Sequence, residues 1–200
     1  HSPFGENIYC SLGLRIEGDP SRLSGLSLVV SLAMHAVFQQ YTQQAIDIKW
    51  PNDLLWNHQK LAGTLIEMTA EGNGGTDIII GMGLNINSIS SPQDCINRPW
   101  CSLKDITHQS FDRNQLIAEL ISALDEHLQV FIQQGFTPFI AAWNALDYLS
   151  NKTVTISQPN RSITGQGRGV NHAGYLMLED DKGVTHVVSS GDTTLAQGKT

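Results

Sequence analysis

From residue 8 onward the apolar positions alternate, with Ile8, Cys10, Leu12, Leu14 and Ile16 separated by mostly polar or small residues. A period of two predicts a strand with one buried face. Gly18-Asp19-Pro20 ends it. The spacing then changes: after Leu26, the positions Val29, Val30, Ala33, Val37 and Tyr41 recur at helical intervals and predict a helix that lays one face on a sheet. A further strand is predicted at 46–49, and Leu54-Leu55-Trp56 and Gln59-Lys60-Leu61 flank the polar pair Asn57-His58 as the arms of a hairpin do. Residues 61–68 and 78–86 read as an antiparallel pair joined across Glu71-Gly72-Asn73-Gly74-Gly75. No helical pattern follows that glycine cluster, so it is read as a turn and not as a phosphate loop.

Residues 88–107, with Pro92, Pro99 and Trp100, carry no clear period. A connection of that length is usually functional or mobile. Asp112 is placed as an N-cap with Gln115 three residues on, and Leu116, Ile117, Leu120, Ile121, Leu124 and Leu128 form a helical stripe. Gly135 stops this helix, and Pro138 suits the first turn of another that runs towards Asp147. Beyond Asn151 the period returns to two, in short runs parted by Pro159-Asn160, Asn171-His172-Ala173-Gly174 and Asp181-Lys182-Gly183. That pattern predicts a small β barrel or sandwich. Gly165-Gln166-Gly167-Arg168-Gly169 invites a nucleotide-loop reading, but alternating glycines in a short β segment mark bending and close packing.

At 200 residues, 40% hydrophobic and 16% charged, the chain can bury one core plus a small satellite unit. A net charge of −7 with only 12 Lys and Arg disfavours binding to nucleic acid or an anionic membrane, and points to a small molecule and another protein as partners. Cys10, Cys95 and Cys101 are scattered without a CxxC, as expected of reduced thiols in a cytoplasmic protein. No run of 18 apolar residues and no charged-then-apolar leader is found, so no membrane span is expected. The histidines show no HxxxH spacing, so no protein-held metal site is expected.

The densest chemistry lies in Lys49-Trp50-Pro51-Asn52-Asp53-Leu54 followed by Lys60-Leu61-Ala62-Gly63. Proline removes an amide donor and biases Trp50 to an extended conformation, while Asn52 and Asp53 favour the reversal that follows. Both lysines then fall near one corner of a sheet. Local chemistry leaves two readings open. One is an ordinary hairpin whose lysines snorkel into water. The other is an anion site, in which the small and apolar neighbours of Lys60 let a ligand reach the backbone and exclude water, strengthening the attraction of an ammonium for carboxylate or phosphate.

These two elements, with Leu65 and Glu67 beyond them and then Gly81-Met82-Gly83-Leu84-Asn85-Ile86-Asn87, resemble in order and spacing the catalytic core of biotin protein ligases. Ser2-Pro3-Phe4-Gly5, Gly25-Leu26-Ser27-Leu28 and Trp143 with Leu146-Asp147 extend the resemblance over nearly the whole chain. It implies an α+β, two-layer catalytic domain at 1–149, with a mixed, mostly antiparallel sheet and packed helices of the class II aminoacyl-tRNA synthetase type, and a C-terminal SH3-like barrel at 150–200. The implied reaction uses ATP and Mg²⁺ to convert biotin to biotinyl-5′-AMP, then passes the biotinyl group to a lysine of a biotin carboxyl carrier protein. Concentrated negative charge must be offset in both steps.

Carried over residue by residue, the resemblance implies that Lys60, Lys49 and Asp53 are catalytic, and that Lys60, Gly63, Leu65, Gly81 and Gly83 bind biotin. It gives Lys49, Asn52, Asp53, Asn85 and Trp100 to the adenylate, with Trp100 covering the adenine and Asp53 facing the incoming amine. The family's Gly- and Arg-rich loop, and the Ser-Thr residues that hydrogen-bond the ureido ring, would precede Ser2 and do not occur in these 200 residues. Ala196 stands where relatives carry an arginine. The chain is therefore expected to be a fragment that is poor or inactive alone. A biotin-dependent repressor with a separate DNA-binding module and a lipoate or octanoate transferase are the rival readings. A homodimer is expected through an exposed sheet edge between 65 and 80.

Overall fold

The first alternating segment forms β1 (Ile8–Glu17), and the two runs around the glycine cluster form β4 (Gln59–Ala70) and β5 (Gly75–Leu84), both longer than their apolar cores suggest. With β2 (Asp47–Lys49) and β3 (Asp53–Trp56) they make a five-stranded sheet in the order β1-β5-β4-β3-β2. Every pairing between these strands is antiparallel. The computed structural model describes residues 4–17, 19–70, 74–90, 99–159 and 161–195. Ser2, Pro3, most of the 71–75 turn, Pro92, Cys95, Asn160 and Ala196 lie outside them.

Helices α1 (Leu26–Tyr41) and α3 (Arg113–Gln134) build the second layer. Helix α1 touches β2, β3 and β4 on one side and α3 on the other. It is therefore buried nearly all round, through Leu26, Leu28, Val29, Val30, Ala33, Met34, Val37 and Phe38. The stretch Pro20–Tyr41 is long and apolar enough to cross a membrane by composition alone, with a mean hydropathy of 1.4. Its packing between sheet and helix accounts for that composition, since a helix apolar on all sides suits a protein core equally well. Its N-cap, Gly25, has φ 84°, and a Cβ there would lie 2.9 Å from Phe136 Cγ. Both the left-handed backbone and the close ring make glycine the residue that fits.

Helix α3 starts where Asp112 predicts, but its cap is simpler than a capping box. The Asp112 carboxylate accepts from the Asn114 amide at 2.8 Å, while the Gln115 amide donates to Glu119 at 2.9 Å. The buried stripe is Leu116, Leu120, Leu124 and Phe131, and Ile121 is exposed. After Gly135 a 3-10 turn at Thr137–Phe139 leads into α4 (Ile140–Leu146). The supposedly irregular 88–107 segment ends in a short helix, α2 (Leu103–Thr107). Ser102 and Asp105 form its capping box, with bonds of 3.0 and 2.9 Å.

The C-terminal runs form β6 (Thr153–Gln158), β7 (Arg161–Val170), β8 (Leu176–Glu179) and β9 (Thr185–Val188), joined by an unforeseen β10 (Asp192–Leu195). They pair antiparallel in the order β10-β6-β7-β8-β9. Among the described residues β9 and β10 remain separate edges, so the second sheet is not seen to close into a barrel. The glycine run lies inside β7 and serves close packing. A Cβ on Gly165 would sit 2.7 Å from the Glu179 carbonyl oxygen, and one on Gly167 would meet the Leu149 carbonyl.

The two sheets meet at the turn between β2 and β3. Trp50 Nε1 donates to the Gly174 carbonyl at 3.1 Å, and the Thr193 hydroxyl donates to the Trp50 carbonyl at 3.1 Å. The expected antiparallel pair at 65–80 forms, and its open edge belongs to β4 alone. Strand β5 lies between β1 and β4, so it is no edge. Strand β3 reaches only to Gly63 on β4, which leaves the outer side of β4 beyond Thr64 without a neighbouring strand among those described.

Candidate active site

On the face of the first sheet away from the helices, the strand register aligns small side chains in rows. Tyr9, Gly83 and Gly63 stand side by side, and Ser11, Gly81 and Leu65 form the next row. This is the floor of a cavity of about 1170 Å³, walled by Lys60, Asn85, Asn87, Ser88, Ile89, Trp100 and Lys104. A Cβ on Gly81 would make only ordinary contact, 3.5 Å from the Leu65 carbonyl oxygen, and one on Gly83 would lie 3.7 Å from the Tyr9 ring. Protein packing therefore leaves room for larger residues there. Glycine at both positions instead keeps an open, flat floor on which a ring can lie against the strand.

Lys60 opens β4 at one end of that floor. Its ammonium is 2.5 Å from Asp53 Oδ1 on the neighbouring strand, with the side chains 41% and 13% exposed. Gly63 makes the pair possible, because a Cβ there would lie 2.7 Å from Lys60 Nζ and 2.9 Å from Asp53 Oδ1. The pair joins an open lysine to a carboxylate whose Oδ1 is shielded from solvent. Its place at the cavity wall is the more informative property.

The Lys60 backbone is held just as firmly. Its amide donates to the Pro99 carbonyl and its carbonyl accepts from the Cys101 amide, both at 3.0 Å. This isolated parallel bridge brings Trp100 beside Lys60. The Asn85 amide donates to the Lys60 and Cys101 carbonyls at 3.3 and 3.1 Å. Asn85 lines the cavity, as expected, but its side-chain N–H groups brace the wall and its oxygen is the atom left to face a ligand. Cys101 is fully buried, and burial, together with the nearby Asp105, pushes its thiol up to about 12, so it is inert at neutral pH.

Of the predicted residues, Lys60, Gly63, Leu65, Gly81, Gly83, Asn85 and Trp100 converge on the cavity. Lys49, Asn52 and Asp53 are not among its lining residues. Asp53 reaches it through Lys60. The Asn52 amide is spent on the Thr64 carbonyl at 2.5 Å, and the Lys49 ammonium donates to the Thr193 carbonyl at 2.8 Å. Lys49 thus ties the turn to the second sheet. Sequence reasoning missed Tyr9, Ser11 and Lys104. The first two are the outward partners of the apolar alternation in β1, and Lys104 sits inside the Ser-x-x-Asp capping box, a signal that was legible.

A glycine-floored cavity on an antiparallel sheet, with a lysine and an aromatic side chain at one end, has a geometry suited to a flat ring system joined to an anion. Residues 1–85 match the Biotin/lipoate A/B protein ligase family, and residues 149–193 match the Biotin protein ligase C terminal domain. The chain is 36% identical over 194 residues to the bifunctional ligase/repressor BirA of Salmonella typhimurium, covering 97% of this chain and 60% of that protein. It is 29% identical over 191 residues to the biotin--[acetyl-CoA-carboxylase] ligase of Mycobacterium tuberculosis, covering 92% and 68%. In fold it superposes on the Aquifex aeolicus biotin protein ligase, solved in complex with biotin and ATP, with a TM-score of 0.81 at 23% identity, over 96% of this chain and 79% of that one. The chain is similar to biotin protein ligases over nearly its whole length. It spans 60% and 56% of the two BirA proteins it matches, from Salmonella typhimurium and Escherichia coli.

Proposed function

We propose that this chain carries the adenylate site of an ATP-dependent biotin protein ligase. The observation that carries the reading is the cavity itself: a floor of Gly63, Gly81 and Gly83 with Leu65 beside it, ending at Lys60 and Trp100. The bicyclic ring of biotin lies on the floor, with its carboxylate towards Lys60. The nucleotide takes the other end, with its adenine against Trp100 and the Asn85 oxygen in reach.

In the first step a biotin carboxylate oxygen attacks the α-phosphorus of ATP, and pyrophosphate leaves with the electron pair of the broken P–O bond. Two anions must approach each other. The Lys60 ammonium offsets their repulsion, and Asp53, paired with it, fixes where that ammonium points. Mg²⁺ would enter with the nucleotide and offset part of its charge. In the second step the acceptor amine of a biotin carboxyl carrier protein attacks the acyl carbon and AMP leaves. Asp53 is the carboxylate placed to orient that amine or accept its proton. Lys49 and Asn52 serve from behind, holding the turn that carries Asp53.

In this reading residues 1–149 are the catalytic domain and 150–200 an SH3-like domain, and the protein is cytoplasmic. The unpaired side of β4 beyond Thr64, beside exposed Leu65 and Met68, supports a homodimer formed by sheet extension. A second role as a biotin-dependent repressor is favoured by the relatives named bifunctional ligase/repressor. Calorimetric titration with biotin and with lipoate tests the main reading. Tighter binding of biotin is expected, and preference for lipoate overturns it.

A further inference from the structure

Lys104 is the second cation of the cavity wall, and its setting differs from that of Lys60. Lys60 is paired with Asp53, so it offsets only part of the charge of a polyphosphate. Among the described residues the remaining charged lining side chains are Glu6 and Lys104. The Lys104 ammonium makes no hydrogen bond or ion pair among the described residues, with Glu6 or any other carboxylate. A half-buried ammonium on a cavity wall, without a protein acceptor, is directed at what the cavity holds.

The backbone beneath it is fixed. The Lys104 amide donates to the Ile86 carbonyl at 2.9 Å. The following residue, Asp105, closes the capping box with Ser102 at 2.9 Å and accepts from the Ser90 amide at 3.3 Å. The neighbouring Leu103 amide donates to the Asn85 carbonyl at 3.0 Å. Lys104 is thereby set at the end of the floor where β5 stops and where Trp100 stands beside Lys60. A charge on so rigid a mount is preorganised for one ligand position.

We propose that Lys104 is a phosphate-binding residue of the nucleotide site, pairing with the polyphosphate of ATP beyond the phosphate that Lys60 faces. The inference rests on the ligase reading and deepens it. A nucleoside triphosphate carries more negative charge than Lys60 alone can offset, and Lys104 supplies a further cation that no described carboxylate matches.

The test is calorimetric titration of the protein and its Lys104→Gln and Lys104→Arg variants with ATP·Mg²⁺ and with adenosine. Lys104→Gln is expected to weaken ATP binding about tenfold, to leave adenosine binding unchanged, and to flatten the salt dependence of ATP affinity. Lys104→Arg is expected to retain most of the affinity. ATP binding unaltered by Lys104→Gln overturns the assignment, and so does an equal loss for adenosine, which would mark a structural role. If the unsubstituted protein binds no ATP, the ligase reading itself is overturned.

Discussion

At the scale of single residues, the cavity separates side chains that hold the fold from side chains that meet a ligand. Gly83 is of the second kind, since a Cβ there meets nothing nearer than the Tyr9 ring at 3.7 Å. Gly83→Val is expected to keep a near-normal thermal midpoint while biotin affinity falls at least about a hundredfold, because a branched side chain occupies the floor. Calorimetry beside a thermal melt reads both. Gly167 is of the first kind. Its missing side chain lets β7 lie against Leu149, so Gly167→Ala is expected to destabilise the protein by about 1–3 kcal/mol in urea titrations. Lys60→Met leaves the mostly buried Asp53 carboxylate without its cation, so biotin-dependent pyrophosphate release is expected to drop by at least about a hundredfold while the thermal midpoint falls modestly. The glycines and Lys60 were legible only through the resemblance of their motifs to the ligase family, and they line one cavity. The fate of Lys49 was not legible, because its acceptor, the Thr193 carbonyl, lies 144 positions away.

Whole elements were legible where a period ran long enough. The alternation of β1 and the stripe of α3 rest on five or more apolar positions each, and both elements formed. β10 and α2 have four and five residues, too few for a period to stand out. Helix α2 still carried a local mark in its Ser102–Asp105 box. Ser102→Ala is expected to cost about 1 kcal/mol, read as a lower urea midpoint. It should also weaken ATP binding, because the helix sets the position of Lys104. Which strand of the 65–80 pair carries the open edge was not legible for a related reason. Strand order depends on which distant segments pair, and no periodicity reports that β1 covers β5.

For the molecule as a whole, the junction between the sheets is the part least visible in sequence and the most informative about stability. Asp147 bridges to Ile48 and accepts from the Leu149 amide at 2.9 Å, while its other oxygen is buried without a hydrogen-bond partner. Burial pushes the Asp147 carboxyl above its ordinary pKa against the opposing effects of the Leu149 amide and Lys152, and Asp47 adds to the rise. The folded state therefore prefers the protonated acid. Its contribution is fully present below the unfolded value and is lost as pH rises through the folded one. Asp147→Asn keeps an oxygen for Leu149 and removes the charge. It is expected to be more stable than the parent at pH 7, with the difference shrinking in acid, as thermal melts across pH would record. The same junction ties Lys49 and Trp50 to the second sheet, so the turn bearing Asp53 is held from both sides.

The central claim is that biotin and the nucleotide meet on the glycine floor beside Lys60. A crystal structure of the protein with biotinyl-5′-AMP tests it most directly. The account predicts the ring system over Gly81 and Gly83 against Leu65, the phosphate within hydrogen-bond reach of Lys60, and the purine against Trp100. An adenylate bound elsewhere on the molecule, with this cavity left to solvent, would contradict it.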